Sequence, residues 1–235
     1  MTGASSGIGR ETVRVLAREG ADVALAARRE ERLREVADEV AAAHDTETLV
    51  LPTDVRDEDA VADLVDATAA QFGSIDVVVL NAGLARGSDV EAMSTEEYRA
   101  MQDTNTDGVF FLTRAALPYV RESEGHLVYV GSFAGEYPRP YNPVYAATKW
   151  WVRGFAKSVS AQVGDTDVGV SIVNPAAVRT AFDVDGTSMA DRYDPGEVVE
   201  PAEVAEAIAF AAEQSPSMAH EISLYERDKL TGFGL

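Results

Sequence analysis

Thr2-Gly3-Ala4-Ser5-Ser6-Gly7-Ile8-Gly9 leads almost directly into an amphipathic stretch, Glu11–Glu19. The order Gly-x-x-x-Gly-x-Gly ahead of a helix is that of a turn normally fed by a β-strand. Glycines permit the tight bend, let backbone approach a pyrophosphate and let the helix pack closely. Exposed N–H groups at the helix start can then receive the anion. Gly3, Ser5, Ser6, Gly7, Ile8 and Gly9 are the candidate cradle; the competing reading is a plain turn before a helix. The turn opens at residue 3, so no strand precedes it. A strand of about five or six residues buried on both faces is worth roughly 1.5–3 kcal/mol per apolar side chain. The expectation is therefore a first strand missing or truncated, with the natural chain starting upstream of Met1.

Downstream, strand-like and helix-like stretches alternate, which is the mark of an α/β fold around a parallel sheet. Val23–Ala27, Thr48–Leu51, Asp76–Leu80, Leu127–Val130 and Val168–Val173 are short apolar runs suited to strands buried on both faces. Between them lie the helical stretches Arg29–His44, Asp57–Phe72, Glu96–Arg121 and Tyr145–Val163. A last helix, Glu203–Glu213, precedes a strand near Glu221–Tyr225. The expected class is a Rossmann-type doubly wound parallel sheet with helices on both faces, residues 1–235 forming one dinucleotide-binding domain. The aperiodic stretch Phe182–Val199 reads as a substrate-side loop.

Composition narrows the possibilities. The 235 residues are 46% hydrophobic, enough for one sizeable core. No apolar run of membrane-spanning length and no secretory leader are visible, and there is no cysteine for a disulfide, thiolate site or nucleophile. A cytoplasmic location is the simplest reading. Forty acidic residues against twenty basic ones give a net charge of −20. Such a surface repels nucleic acid and anionic lipid, so neither is expected as a partner. Lys149, Lys157 and Lys229 are the only lysines. Acidic excess with few lysines is similar to proteins of salt-loving organisms, so a halophilic source is expected; the bland alternative is a solvated acidic surface. His44, His126 and His220 show no ligand spacing, and no metal is assigned.

About twenty residues past the glycine turn, an acidic residue would receive the ribose 2′-hydroxyl of NAD. Here Ala26-Ala27-Arg28-Arg29 stands instead. Arginine can pair a 2′-phosphate bidentately, so NADP (NADPH) is expected over NAD. The rival reading has Arg28 on a solvated helix start. Asp54, before Val55, fits either an acceptor for the adenine amino group or a turn residue, with Asp57 the better helix cap. Asn81-Ala82-Gly83 would pass close to the adenine ribose.

Tyr145-Ala146-Ala147-Thr148-Lys149 puts Tyr and Lys four apart on one helix face. Chance alone supplies such a pair roughly 0.1 times in a chain of this composition. Ser132 lies upstream in Val130-Gly131-Ser132. With these residues the chain resembles the short-chain dehydrogenase/reductase family over nearly its whole length. The resemblance rests on Thr2–Gly9, Asn81-Ala82-Gly83, Asn105, Ser132, Tyr145 with Lys149, and Pro175 through Thr180. Asn81–Gly87, Asp103-Thr104-Asn105 and Thr113-Arg114-Ala115 are similar to its 3-hydroxy acid (serine-type) dehydrogenase subgroup.

The resemblance implies hydride transfer between NADP(H) and a small alcohol or carbonyl substrate, such as a hydroxy acid or aldehyde. A free tyrosine titrates near pH 10; the Lys149 ammonium favours the phenolate, letting Tyr145 serve as general acid/base. Ser132 would hold the substrate oxygen. By resemblance Lys149 also binds the nicotinamide ribose and Asn105 anchors a water relay, against a plainer reading of Asn105 bonding its own backbone. Pro175, Val178 and Thr180 would line the nicotinamide side, with Thr180 meeting its carboxamide. Two departures stand out: Pro175-Ala176 replaces the usual Pro-Gly, and Leu80 sits where a second asparagine is common. Trp150-Trp151 fits a core position or, by resemblance, a subunit interface, which implies a homodimer or homotetramer. Arg139 reads as a surface loop residue, with a contact to an acidic substrate as the alternative. A non-catalytic NADP(H)-binding sensor or structural subunit is the rival function.

Overall fold

The computed structural model describes residues 1–87, 89–184 and 186–231, with backbone only at residue 184. The chain order is α1 (Gly7–Arg18), β1 (Val23–Ala27), α2 (Glu30–Ala43), β2 (Thr48–Pro52), α3 (Glu58–Phe72) and β3 (Val77–Leu80). There follow α4 (Thr95–Gln102), a π turn (Asp103–Asp107), α5 (Gly108–Glu122), β4 (His126–Val130), α6 (Pro143–Gln162) and β5 (Gly169–Pro175). Last come β6 (Asp183–Val184), β7 (Thr187–Ser188), α7 (Met189–Arg192), α8 (Pro201–Ala212) and β8 (Glu221–Leu224). β1 pairs with β2, and β3, β4, β5 and β8 pair in that order, all in parallel. This is the expected α/β Rossmann-like fold, a parallel sheet flanked by helices.

The apolar strands are sandwiched, and their period of two sorts residues to opposite faces. Leu127, Tyr129, Val170 and Ile172 pack with α3, α5 and α6, whereas Val128, Val130 and Val173 pack with α8. Leu25 joins α1 and α2. Burial on both faces explains why these strands read as unbroken apolar runs.

Met1 and Thr2 pair with the sheet beside β1 and β3. Thr2 bridges Ala26 in parallel and donates its N–H to Val79 O at 3.2 Å. The Met1 amino group donates to Ala24 O at 2.9 Å, and Met1 O accepts from Ala26 N at 3.0 Å. Met1-Thr2 thus occupies the slot between β1 and β3 and joins the two parts of the sheet. From this slot the chain winds to β1 on one side while β3 lies on the other, which puts a crevice at the strand ends.

Two expectations about elements change in detail. The single helix expected over Glu96–Arg121 is α4 and α5 joined by the π turn at Asp103–Asp107, where the Gly108 N–H reaches Asp103 O. Phe182–Val199 is not featureless: its described residues include the β6–β7 hairpin and the short helix α7. Asp185 in that stretch, and positions 232–235 of the expected domain, lie outside the described residues. Asp57 caps α3 as expected, accepting from Asp59 N and Ala60 N.

Thr2 also offers a test. Its hydroxyl donates to Val79 O and accepts from Asn81 N at 3.1 Å and Ala82 N at 3.3 Å. Thr2→Val keeps the shape but leaves part-buried N–H groups unpaired. A loss of about 1–3 kcal/mol is expected in urea unfolding, with Thr2→Ser close to the original; equal stability of all three would refute this role.

Candidate active site

One cleft of about 1080 Å³ opens at the strand ends. Gly3, Ser5, Ser6, Gly7, Ile8, Gly9, Arg28, Arg29, Asp54, Val55, Asn81, Ala82, Gly83, Ser132, Tyr145, Lys149, Pro175, Val178 and Thr180 all line it. Of the candidate catalytic and cofactor residues, Asn105 alone is not part of its lining.

At one end the glycine turn passes into α1. A Cβ on Gly9 would stand 2.1 Å from Gly3 O, so only glycine lets the helix start so close to the turn. The first turn of α1 holds no acidic residue and its N-cap Ser6 makes no capping bond, in a chain with forty carboxylates. Its N–H groups and positive dipole end therefore face the cleft without an internal anion. Arg29 crosses to this turn, donating to Ser5 Oγ at 2.9 Å and Ser6 Oγ at 3.0 Å. Burial, then repulsion from Arg32 and Arg28, push the Arg29 guanidinium below its ordinary pKa. A cationic cluster held against its own repulsion is a site for an anion.

Asp54 lines the cleft and is also paired within its own turn. Arg56 grips its carboxylate, with Nε at 2.9 Å from Oδ1 and 3.0 Å from Oδ2, and this hydrogen-bonded pairing lowers the Asp54 pKa. The carboxylate is thus engaged within its own turn. Val55 meets α5, where a Cβ on Gly108 would stand 2.9 Å from it. Asn81 Nδ2 donates to Thr2 O at 2.9 Å, tying the loop after β3 to the glycine turn.

The other end is built on α6. Asn142 caps the helix, accepting from Tyr145 N at 3.0 Å, and Pro143 follows at the position where proline suits a helix start. The Asn142 side chain also donates to Arg86 O at 3.0 Å, anchoring the loop that faces α6. One turn later Lys149 is buried, its Nζ donating to Val130 O at 3.0 Å and standing 6.0 Å from the Tyr145 ring centre. Ser132 Oγ accepts from Ala134 N at 3.1 Å. Asn105 does not bond its own helix. Its Oδ1 accepts from Leu84 N at 2.9 Å, and its Nδ2 donates to Leu84 O at 2.8 Å and Thr148 Oγ1 at 3.1 Å. The π turn aims it there, a common use of such turns at functional sites.

Asn142, Asn174 and Glu136 are the residues that sequence reasoning missed. Asn174 Oδ1 accepts from Ser132 N at 3.2 Å, while its Nδ2 donates to Glu136 Oε1 at 2.9 Å and Glu221 Oε1 at 2.7 Å. A Cβ on Gly131 would fall 1.9 Å from Asn174 Oδ1, so glycine there admits the contact. The Asn-Pro pair signalled Asn142 as a cap; nothing in the sequence signalled a partner 42 residues from Ser132. Of the two departures, Ala176 sits in ordinary backbone, since Glu124 is the one described non-glycine residue with positive φ. Leu80 is buried in the core.

Residues 1–190 match the short chain dehydrogenase family. The chain belongs to that family. It is thus an oxidoreductase of a family built around a nicotinamide dinucleotide fold. This short-chain dehydrogenase is similar to an uncharacterized oxidoreductase of Staphylococcus epidermidis, 32% identical over 215 residues, covering 91% of this chain and 90% of the relative. Among solved structures it resembles an alcohol dehydrogenase from the archaeon Thermococcus sibiricus complexed with 5-hydroxy-NADP, with TM-score 0.90 and 30% identity over 97% of this chain and 95% of that one. It also resembles the closed form of a serine dehydrogenase complexed with NADP+, with TM-score 0.86 and 31% identity over 96% and 93% of the two chains.

The network behind Ser132 has a pH signature. Burial opposes the ionisation of Glu221, but hydrogen bonds from Arg153 and Lys157 outweigh it and hold the pKa at about 2, from an ordinary 4.5. A depressed carboxylate adds stability above its ordinary pKa and loses it as pH falls towards the folded value. The stability advantage over Glu221→Gln should be full near neutral pH and shrink between about pH 5 and pH 2. Urea midpoints measured across that range check this, and a constant gap would contradict it.

Proposed function

We propose that this short-chain dehydrogenase is an NADP(H)-dependent enzyme that interconverts an alcohol and its carbonyl compound, residues 1–235 acting as one dinucleotide-binding domain. The observation that carries the reading is that Tyr145 and Lys149 open into the same cleft as the bare first turn of α1. The residues present fit the cofactor. Its pyrophosphate would meet the glycine turn and α1, and a 2′-phosphate would meet Arg28 and Arg29, where NAD offers only a hydroxyl. Two similar proteins were solved with 5-hydroxy-NADP and NADP+, and the preference over NAD rests on the two arginines. Bound there, the cofactor supplies or accepts the hydride.

The chain's own residues handle the proton and the substrate oxygen. Ser132 Oγ donates a hydrogen bond to that oxygen. Tyr145 takes the hydroxyl proton during oxidation and returns it during reduction, within reach of the same oxygen. Lys149 holds its buried amino group 6.0 Å from the centre of that ring. Asn105 fixes Leu84 against α6, keeping the far wall in register with Tyr145. Pro175, Val178 and Thr180 close the nicotinamide side, and Phe182, Met189 and Tyr193 from the loop near 182–199 line the substrate end. A small hydroxy acid or aldehyde suits this end.

Trp150, Trp151 and Phe110 are exposed together on α5 and α6, which supports docking of a second copy as a homodimer or homotetramer. The acidic surface and scarce lysine support a cytoplasmic protein of a salt-loving cell, where molar salt screens self-repulsion over about 3 Å. Stability should then rise from low to molar KCl, with dimers or tetramers in sedimentation. Flat stability would refute the salt adaptation, and a monomer would refute the docking.

Fluorescence titration tests the cofactor. NADPH should bind more tightly than NADH, and Arg28→Ala should weaken NADPH at least about tenfold while sparing NADH. Tyr145→Phe should lower kcat about 10²- to 10⁴-fold with NADPH affinity kept. Equal affinity for the two cofactors would sink the NADP assignment; turnover within tenfold would remove Tyr145 from the chemistry.

A further inference from the structure

The charges of this protein are divided unevenly. Among the described residues seven basic ones line the cleft, namely Arg28, Arg29, Arg86, Arg139, Lys149, Arg192 and Lys229, against two acidic ones, Asp54 and Asp183. The chain as a whole has two acids per base, and the cleft reverses that ratio. Arg28, Arg29 and Lys149 belong to the cofactor and the proton-transfer group. The other four lie at the substrate end, where the dinucleotide has no further phosphate to explain them.

Arg139 is the cation there that lies against the reacting group. Its guanidinium carbon stands 4.9 Å from the centre of the Tyr145 ring and 4.7 Å from that of Tyr141, held by cation–π contacts. Its Nε is buried without a hydrogen-bond partner, and among the described residues no carboxylate pairs with it. By contrast Arg86 faces Asp183 at 3.9 Å and Lys229 faces Glu226 at 3.5 Å. An arginine left unpaired in a chain so rich in acid is held open for a ligand. A planar fork of donors matches a carboxylate, and the stacking fixes its orientation before the ligand arrives.

We propose that the substrate is a short-chain hydroxy acid, or the oxo acid formed from it, whose carboxylate is bound by Arg139 while its carbinol lies at Tyr145. This rests on the alcohol–carbonyl reading above and narrows it. In oxidation the carbinol C–H bond breaks with its electron pair passing to NADP+, the O–H proton passes to Tyr145, and a C=O bond forms. The carboxylate takes no part in the bonds that change; it sets which carbon faces the cofactor. The positive cleft also draws an anion past an otherwise repelling acidic surface.

The experiment uses two arms on the full chain. In the first, kcat/KM is measured with NADP+ for 2- and 3-hydroxy acids of three to five carbons and for their methyl esters, in the original protein and in Arg139→Met and Arg139→Lys. The acids should be preferred, and Arg139→Met should cut the acid-to-ester ratio about 10- to 100-fold, with Arg139→Lys between. Equal use of acid and ester by the original protein, or a ratio that Arg139→Met leaves unchanged, overturns the proposal. In the second arm, calorimetry follows the same acids binding to the NADPH-loaded protein, with NADPH affinity as the check on folding. Binding that is lost in Arg139→Met supports the carboxylate site even where no turnover is seen, so failure of the catalytic reading stays distinct. Acid binding unaffected by Arg139→Met overturns it.

Discussion

Thr2 holds the two parts of the sheet and both walls of the cleft in one set of hydrogen bonds. Its N–H closes onto Val79, its carbonyl takes the Asn81 amide, and its hydroxyl accepts from Asn81 and Ala82. The glycine turn on one side and the loop after β3 on the other are therefore fixed by the same residue. Each bond is individually modest, but a buried N–H left without a partner costs more than the bond is worth when made. The crevice at the strand ends inherits its shape from this satisfaction of backbone groups.

At the α6 end of the cleft, asparagines add directional bonds to an apolar cluster that includes Met101, Ala134 and Tyr145. Asn142, Asn105 and Asn174 each bridge a helix or loop to a neighbour, and each offers an acceptor and two donors from one planar group. Such bridges specify angle as well as distance, which a tyrosine and a serine must share if they are to meet one oxygen. The buried Lys149 is compatible with the interior because Val130 O accepts a hydrogen bond from it and the cleft lies open beside it.

Charge does a different job from packing here. The surface carries an excess of carboxylates, yet the cleft concentrates cations, with the α1 N-terminus adding its partial positive charge. Fold stability owes little to this arrangement, since exposed ion pairs contribute little. Its consequence is selection among ligands by sign.

The amino-acid sequence by itself determined the alternation of strands and helices, because burial on both faces demands unbroken apolar runs and one-sided burial demands helical periodicity. It also determined the glycine turn, since Gly9 leaves room that no side chain could, and the pairing of Tyr145 with Lys149, since four residues make one helical turn. These are local constraints, readable from neighbours in the chain. Tertiary structure alone decided that Thr2 ties β1 to β3, that a π turn splits the long helix to aim Asn105 at Leu84, and that Asn174 supports Ser132. It also decided that Arg139 stacks on Tyr145 instead of facing solvent, while Asp54 turns to Arg56. Each of those depends on groups brought together from separate turns of the chain, where hydrogen-bond geometry and burial, rather than sequence spacing, choose the partner.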